Sequence, residues 1–265
     1  MQYGKVWFVG AGPGDPDLIT IKGRDLLVQA GAILYAGSLV DRAVTRYAGV
    51  DCEIADSRDM TLAEICAWLI TRAGRGTTVV RLQTGDPSLY GALCEMARPL
   101  DAAGIEWGVV PGVSSAMASA AAAGETLTLP EVTQTVILTR MAGRTPMPEG
   151  EELRALAAHG TSLCIFLSIT LLPVVQRELR AAGWSDEAPI LVVHKASWSG
   201  QEKIVRGTVA DIRDKCCAER ITSQAMIIAS PALGARHWPK VVPSKLYDAQ
   251  FCHRFRRVAP ERGGA

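Results

Sequence analysis

Two kinds of segment alternate along this chain. Short apolar runs bounded by Gly, Pro or Ser occur at Val6–Val9, Ala32–Tyr35, Thr77–Leu82 and Ile105–Val110. They recur at Thr135–Arg140, Ser162–Leu167, Pro189–His194 and Gln224–Ala229. Runs of this length and composition read as strands buried in a sheet. Between them lie segments of helical period: Leu18–Gly31, Arg42–Tyr47, Thr61–Ala73, Ala92–Ala103, Ala116–Ala123, Glu151–His159, Leu172–Ala182 and Val209–Lys215. Asp51–Ala55 reads as a further short strand and Lys203–Thr208 as an edge strand.

Local signals sharpen several of these elements. Thr61 with Glu64 three residues on forms a capping box, with Leu62, Ile65, Leu69 and Ile70 as the expected buried face. The first helix is expected to bury Leu18, Ile19, Ile21, Leu26, Leu27 and Ala30 and to stop at Gly31. Gly104 stops the helix before it. The small residues of Ala116–Ala123 suit close packing on a sheet or a ligand.

Strand–helix alternation predicts an α/β protein. It breaks off in residues 124–134 and then restarts. The expected organisation is therefore two α/β domains in series, 1–123 and 135–235, joined by a linker at 124–134 and followed by a tail at 236–265. Each domain is expected to hold a mostly parallel or mixed sheet of about five strands flanked by helices.

The first strand runs into Gly10-Ala11-Gly12-Pro13-Gly14-Asp15-Pro16. Loops at the carboxyl ends of strands line the ligand crevice in open α/β sheets. A dinucleotide fingerprint would need Gly at 10, 12 and 15, but position 15 is Asp15. Pro13 and Pro16 lack the N–H donors that a pyrophosphate wants, and a carboxylate at the mouth repels an anion. No Gly-Lys-Ser/Thr follows, so this is not a P-loop. The loop suits a large neutral or cationic ligand approached closely by backbone. Similar loops close other strands: Thr84-Gly85-Asp86-Pro87-Ser88-Leu89-Tyr90-Gly91 and Pro111-Gly112-Val113-Ser114-Ser115. Taken singly, Gly12, Gly14, Gly85 and Gly112 read equally well as turn residues.

Composition narrows the picture. The 265 residues are 48% hydrophobic and 21% charged with a net charge of +1, which offers no bulk attraction for nucleic acid or an anionic membrane. No apolar run approaches the ~20 residues of a membrane span, and Met1–Lys5 leads into a strand rather than a signal peptide. Seven scattered Cys without a C-x-x-C pair are expected as reduced thiols, which points to the cytoplasm. The four His share no metal-ligand spacing, and Cys252-His253 is the sole adjacent pair, so no metal is expected. The basic run Arg254-Phe255-Arg256-Arg257 reads as a solvated end.

Taken in order, Gly-Ala-Gly-Pro-Gly-Asp-Pro, Tyr35-Ala-Gly-Ser-Leu-Val40, Thr84–Ala92 and Pro111–Ser115 resemble the tetrapyrrole methyltransferase family over roughly residues 4–235. Ser244–Asp248 and His253–Arg256 extend the likeness into the tail. Tyr35–Val40, Thr84–Ala92 and Glu131–Arg140 are most similar to the branch that methylates precorrin-4 at C11 to give precorrin-5 in cobalamin biosynthesis. Thr84 before Gly85-Asp86-Pro87, where the uroporphyrinogen branch typically has Gly, points away from that branch. A sister enzyme acting at another ring position and a non-catalytic tetrapyrrole-binding module are the alternatives.

The resemblance implies two α/β domains with the active-site cleft between them, S-adenosylmethionine (SAM) as methyl donor, S-adenosylhomocysteine as product, a small-molecule tetrapyrrole as partner and a homodimer. It implies cofactor contacts at Pro13, Gly85, Asp86, Pro87, Ser114, Ser115, Leu167, Ala196, Ala225 and Met226. Leu167 stands where many members have Met, a near-isosteric exchange. The tetrapyrrole is expected in a trough between the loops 10–17 and 141–150, near Gly12, Ser38, Arg58, Tyr90 and Arg140. Arg81, Arg144 and Lys195 are further candidate cations for its carboxylates. Asp15 either orients a pyrrole N–H or assists proton loss, or caps the following helix.

Overall fold

The computed structural model describes residues 3–247, 251, 252, 254 and 256. Asp248, His253, Phe255 and Arg257 of the tail motifs lie outside the described residues. Ten strands among the described residues form two sheets of five.

In the first sheet β1 (Val6–Gly10), β2 (Ala32–Tyr35), β3 (Glu53–Asp56), β4 (Val79–Gln83) and β5 (Trp107–Val110) lie in the order β3-β2-β4-β1-β5, all parallel. Both faces are covered, as the apolar runs require. On one face α2 (Leu62–Ala73) and α3 (Leu93–Ala102) bring Cys66, Leu69, Met96 and Leu100 onto Phe8, Leu34 and Val79. On the other, α1 (Ile21–Gln29) and the 3-10 turn Arg42–Tyr47 bring Leu27 and Val44 onto Val9, Ile33 and Val80.

The second sheet contains β6 (Val136–Arg140), β7 (Ser162–Phe166), β8 (Pro189–His194), β9 (Lys203–Thr208) and β10 (Ala225–Ala229), in the order β6-β7-β10-β8-β9. It is mixed: β6 and β7 are parallel, while β10 runs antiparallel to β7 and β8, and β9 is the antiparallel edge. Its residues alternate between two apolar layers. Leu163, Ile165, Ile190, Val192 and Ile227 face α5 (Leu153–Ala157), α6 (Leu172–Ala181) and α7 (Ile212–Ala218). Cys164, Leu191, Val193, Met226 and Ile228 face the other way.

That second layer is completed by α4 (Ser115–Ala123), which follows the last strand of the first sheet. Ala116, Ala118, Ala120 and Ala123 of α4 are buried against the second sheet. Side chains no larger than methyl let the helix lie close to the strands. Its carboxyl end is held by Arg206 of β9, whose guanidinium donates to Ala123 O at 2.6 Å and pairs with Glu125. A cation there also complements the helix dipole. The alanine helix thus ties the end of the first half of the chain to the second sheet.

Two helices differ in detail from the expected ones. The segment 18–31 divides into a 3-10 turn, Pro16–Leu18, and α1, which starts after a Thr20 cap and ends at Ala30 rather than Gly31. The later start turns Ile21 outward, 72% exposed, and leaves Leu18 exposed as well, while Gly23 packs on Val9. In α2 the Thr61–Glu64 capping box is present, but Leu62 is exposed and Cys66 and Trp68 are buried in its place.

Candidate active site

The carboxyl ends of β4, β1 and β5 are neighbours, so their three loops meet. They meet backbone to backbone. A Cβ on Gly10 would lie 2.5 Å from Gly112 Cα and 2.6 Å from Gly85 O, and one on Gly112 would fall on Gly85 O. Gly85 N donates to Gly12 O at 2.8 Å, with Gly12 and Gly85 both left-handed (φ 78° and 59°). These glycines are therefore more than turn residues; the loops could not converge with side chains present. Asp86 fastens the same junction. Its carboxylate accepts from Gly112 N at 2.9 Å and from Ser88 N at 2.8 Å. Burial opposes its ionisation, but hydrogen bonds from the Ser88 hydroxyl, Gly112 N–H and Ser88 N–H outweigh it and hold the carboxyl below its ordinary pKa.

The second sheet reaches this junction with the strap Lys195–Trp198 that follows β8. Trp198 Nε1 donates to Pro13 O at 3.0 Å, and the indole lies so close over Gly14 that any Cβ there would strike it. Ser197 Oγ accepts from Asp15 N at 3.0 Å. Gln224, just before β10, donates to Ser38 O at 2.9 Å, and the rings of Tyr90 and Phe166 sit 5.4 Å apart across the halves.

Between these contacts lies a cavity of about 310 Å³. Of the ten positions expected at the cofactor, nine line it: Pro13, Gly85, Asp86, Ser114, Ser115, Leu167, Ala196, Ala225 and Met226. Pro87 does not, although Leu89 and Tyr90 further along the same loop do. Tyr90 also lines it, whereas Gly12, Ser38, Arg58 and Arg140 do not. Gly12 is taken up by its bridge to Gly85. Ser38 lends its carbonyl to Gln224.

The cations divide by their existing partners. Arg140 donates to the carbonyls of Met141, Thr145 and Pro146, so it braces the 141–146 loop. Arg58 donates to Gly37 O at 2.8 Å and pairs with Asp56. Arg81 is 6% exposed and bonds Ser57 Oγ and Leu34 O; burial lowers its pKa to about 10. It is an internal tie and cannot reach substrate carboxylates. Lys195 lines the cavity, donates to Gln201 and lies 4.9 Å from the Trp198 ring centre. Asp15 caps the 3-10 turn, its Oδ1 accepting from Asp17 N at 2.8 Å.

Sequence reasoning missed Trp198, Gln224, Phe166, Leu39, Leu89, Ile169, Val193 and Ser119, all of which line the cavity. The one signal available for Val193 and Phe166 was their place at strand carboxyl ends. Backbone strain gathers here too. Of eight non-glycine residues with left-handed backbone among the described residues, Tyr90, Leu167, Lys195 and Gln224 line the cavity. Each such residue costs on the order of 1–2 kcal/mol, and strain of this kind clusters at functional sites.

The fold and site define an α/β protein with a cavity lined by residues from the ends of both sheets. The chain belongs to the tetrapyrrole (corrin/porphyrin) methylase family, whose model matches residues 5–213. It is 47% identical over 253 residues to the cobalt-precorrin-4 C(11)-methyltransferase of Methanocaldococcus jannaschii, covering 96% of each chain. It is 44% identical to the precorrin-4 C(11)-methyltransferase of Pseudomonas aeruginosa over 95% of this chain and 98% of that one. Among solved structures, a cobalt precorrin-4 methyltransferase superposes with a TM-score of 0.84 at 48% identity, covering 86% of this chain and 95% of that one. The uroporphyrin-III C-methyltransferase of Thermus thermophilus, solved with S-adenosylhomocysteine, gives 0.72 at 28% identity over 88% and 94%.

Proposed function

We propose that this chain is a SAM-dependent C-methyltransferase that methylates precorrin-4 at C11 to give precorrin-5. The observation that carries the reading is the convergence of nine positions, from six separate segments, on one cavity. The lining suits the ligand. It is mostly apolar or main chain, its one carboxylate is already hydrogen-bonded, and it holds no cluster of cations for a pyrophosphate. When bound, SAM supplies an electrophilic methyl on a positively charged sulfur.

The protein's own contribution is positioning. Pro13, Gly85, Asp86, Ser114 and Ser115 hold the donor from one side, and Leu167, Ala196, Ala225 and Met226 from the other. Pro87 supports them from outside the cavity. A rigid two-sided seat aligns donor and acceptor carbon, and alignment of this kind supplies roughly 7–11 kcal/mol of a barrier. An electron-rich tetrapyrrole carbon needs little further help, which accounts for a site without an obvious catalytic base.

The tetrapyrrole is assigned to the mouth, in the trough between loops 10–17 and 141–150. Tyr90 and Asp15 face it, Arg58 and Lys195 supply positive charge, and Gly12, Ser38 and Arg140 shape its walls. Residues 1–123 and 135–235 act as the two jaws, and the protein works as a homodimer in the cytoplasm. In support of a non-membrane setting, no helix among the described residues is long and apolar enough to cross a bilayer.

The test is transfer of radiolabelled methyl from SAM to precorrin-4, cobalt-precorrin-4 and uroporphyrinogen III, offered separately. Label is expected in one or both precorrin-4 forms and absent from uroporphyrinogen III. Label in uroporphyrinogen III alone assigns the chain to a sister reaction. No transfer, with no SAM binding by calorimetry, overturns the reading.

A further inference from the structure

Ser119 of α4 is the one hydroxyl-bearing residue deep in the alanine wall whose polar atom has no use in the fold. The residue is 0% exposed, its Oγ has no hydrogen-bond partner, and it borders the cavity. It lies one helical turn beyond Ser115, on the same face of the helix. Its counterpart Ser114 is satisfied differently, accepting from Ala116 N as the helix cap. A buried hydroxyl left unpaired is destabilising, and native structures seldom keep one without a reason. Alanine fills the neighbouring positions 116, 118, 120 and 121–123 at no such cost.

The apolar part of the cavity lining restricts what the partner of Ser119 can be. Val193 and Met226, register partners at the ends of β8 and β10, line the cavity together with Ala196 and Ala225. These side chains offer no countercharge, so an ammonium, carboxylate or sulfonium placed among them would lose hydration without compensation. The lining residues that do carry charge, Asp86 and Lys195, belong to the loops that follow β4 and β8. A flat, neutral heteroaromatic ring with hydrogen-bonding edges fits the apolar part and gives the hydroxyl a partner.

We propose that Ser119 is a binding residue for the base end of the SAM nucleoside, its hydroxyl pairing with the edge of the adenine ring. This deepens the reading of the cavity as a SAM site and rests on it. The hydroxyl then explains itself: it is orphaned without ligand and satisfied with it.

The test compares wild type with Ser119→Ala by calorimetry using S-adenosylhomocysteine, with adenosine and methionine as separate competitors, and by thermal melting without ligand. Affinity for S-adenosylhomocysteine and for adenosine is expected to fall about tenfold in the variant, with methionine unaffected. The ligand-free variant is expected to melt no lower than wild type, since alanine removes an unpaired polar group. In turnover, KM for SAM rises while kcat at saturation is retained. Equal affinities in the two proteins overturn the proposal, as does a variant that loses affinity only in step with a lower ligand-free melting temperature. A wild type that binds no S-adenosylhomocysteine overturns instead the reading on which the proposal rests.

Discussion

The two walls of the cavity are built by opposite devices. On the first sheet the chain uses glycine, at 10, 12, 85 and 112, to bring three loops into backbone contact. On the second it places ordinary side chains in left-handed backbone, at Leu167 (φ 53°), Lys195 (47°), Ser197 (67°) and Gln224 (47°). The first wall is crowded, and Tyr90 (φ 56°) is its one left-handed non-glycine lining residue. The second is strained and open; Leu167 is 63% exposed. Parallel strands account for the difference. β4, β1 and β5 deliver their ends side by side, so the problem there is room. In the mixed sheet the start of β10 lies beside the ends of β7 and β8, and the left-handed residues Leu167, Lys195 and Gln224 fall where the chain leaves or enters these strands.

Substitutions that exchange the devices should have opposite signs. The largest effect is expected for Gly112→Ala, whose Cβ would overlap Gly85 O and lie 2.8 Å from Gly10 Cα. A loss of about 3 kcal/mol of stability, with loss of SAM binding, should appear in urea titrations.

Asp86→Asn comes next. Its amide can accept from one N–H but sets a donor against the other, Gly112 N or Ser88 N. The expected cost is about 2 kcal/mol at neutral pH. The folded pKa of Asp86 is lowered, so its contribution is complete above the ordinary carboxylate value and is lost as pH falls through the lowered one. The gap between wild type and Asp86→Asn should therefore narrow below about pH 4. A constant gap would show that the charge is not what fastens the loops.

Trp198→Phe removes the donor to Pro13 O while keeping a ring over Gly14. About 1 kcal/mol of stability should be lost, along with some affinity for SAM. The smallest effect, and the one of reversed sign, belongs to Leu167→Gly. Relief of the left-handed backbone outweighs the added freedom of glycine in the unfolded chain, for a gain of about 0.5 kcal/mol. SAM affinity should nonetheless fall, because a cavity wall is lost. If Leu167→Gly destabilises the protein as Gly112→Ala does, the contrast between the walls is wrong.

The same contrast explains what could be read from the chain. A glycine wall is visible in a sequence, since Gly10-Ala11-Gly12-Pro13-Gly14 and Thr84-Gly85-Asp86-Pro87 name their own geometry. The strand ends follow from it, and together with the family likeness it leads to nine positions that line the cavity. A strained wall is not visible. Nothing in the letters of Lys195 or Gln224 announces a positive φ, because the surrounding contacts impose it. Trp198 was missed for the same reason: its partner, Pro13 O, is 185 residues away. Arg81 misled because a cation near a strand's carboxyl end reads as a surface group, whereas Ser57 and Leu34 O hold it inside. Leu18, Ile21 and Leu62 misled because apolar period alone does not say where a helix starts.

The central claim is that donor binding needs both walls at once, and a crystal structure with S-adenosylhomocysteine tests it most directly. The account predicts the nucleoside enclosed between α4 with the Gly85–Asp86 loop on one side and the ends of β8 and β10 on the other, touched by main chain from both. Density bound to one sheet only, or seated outside this cavity, would contradict it.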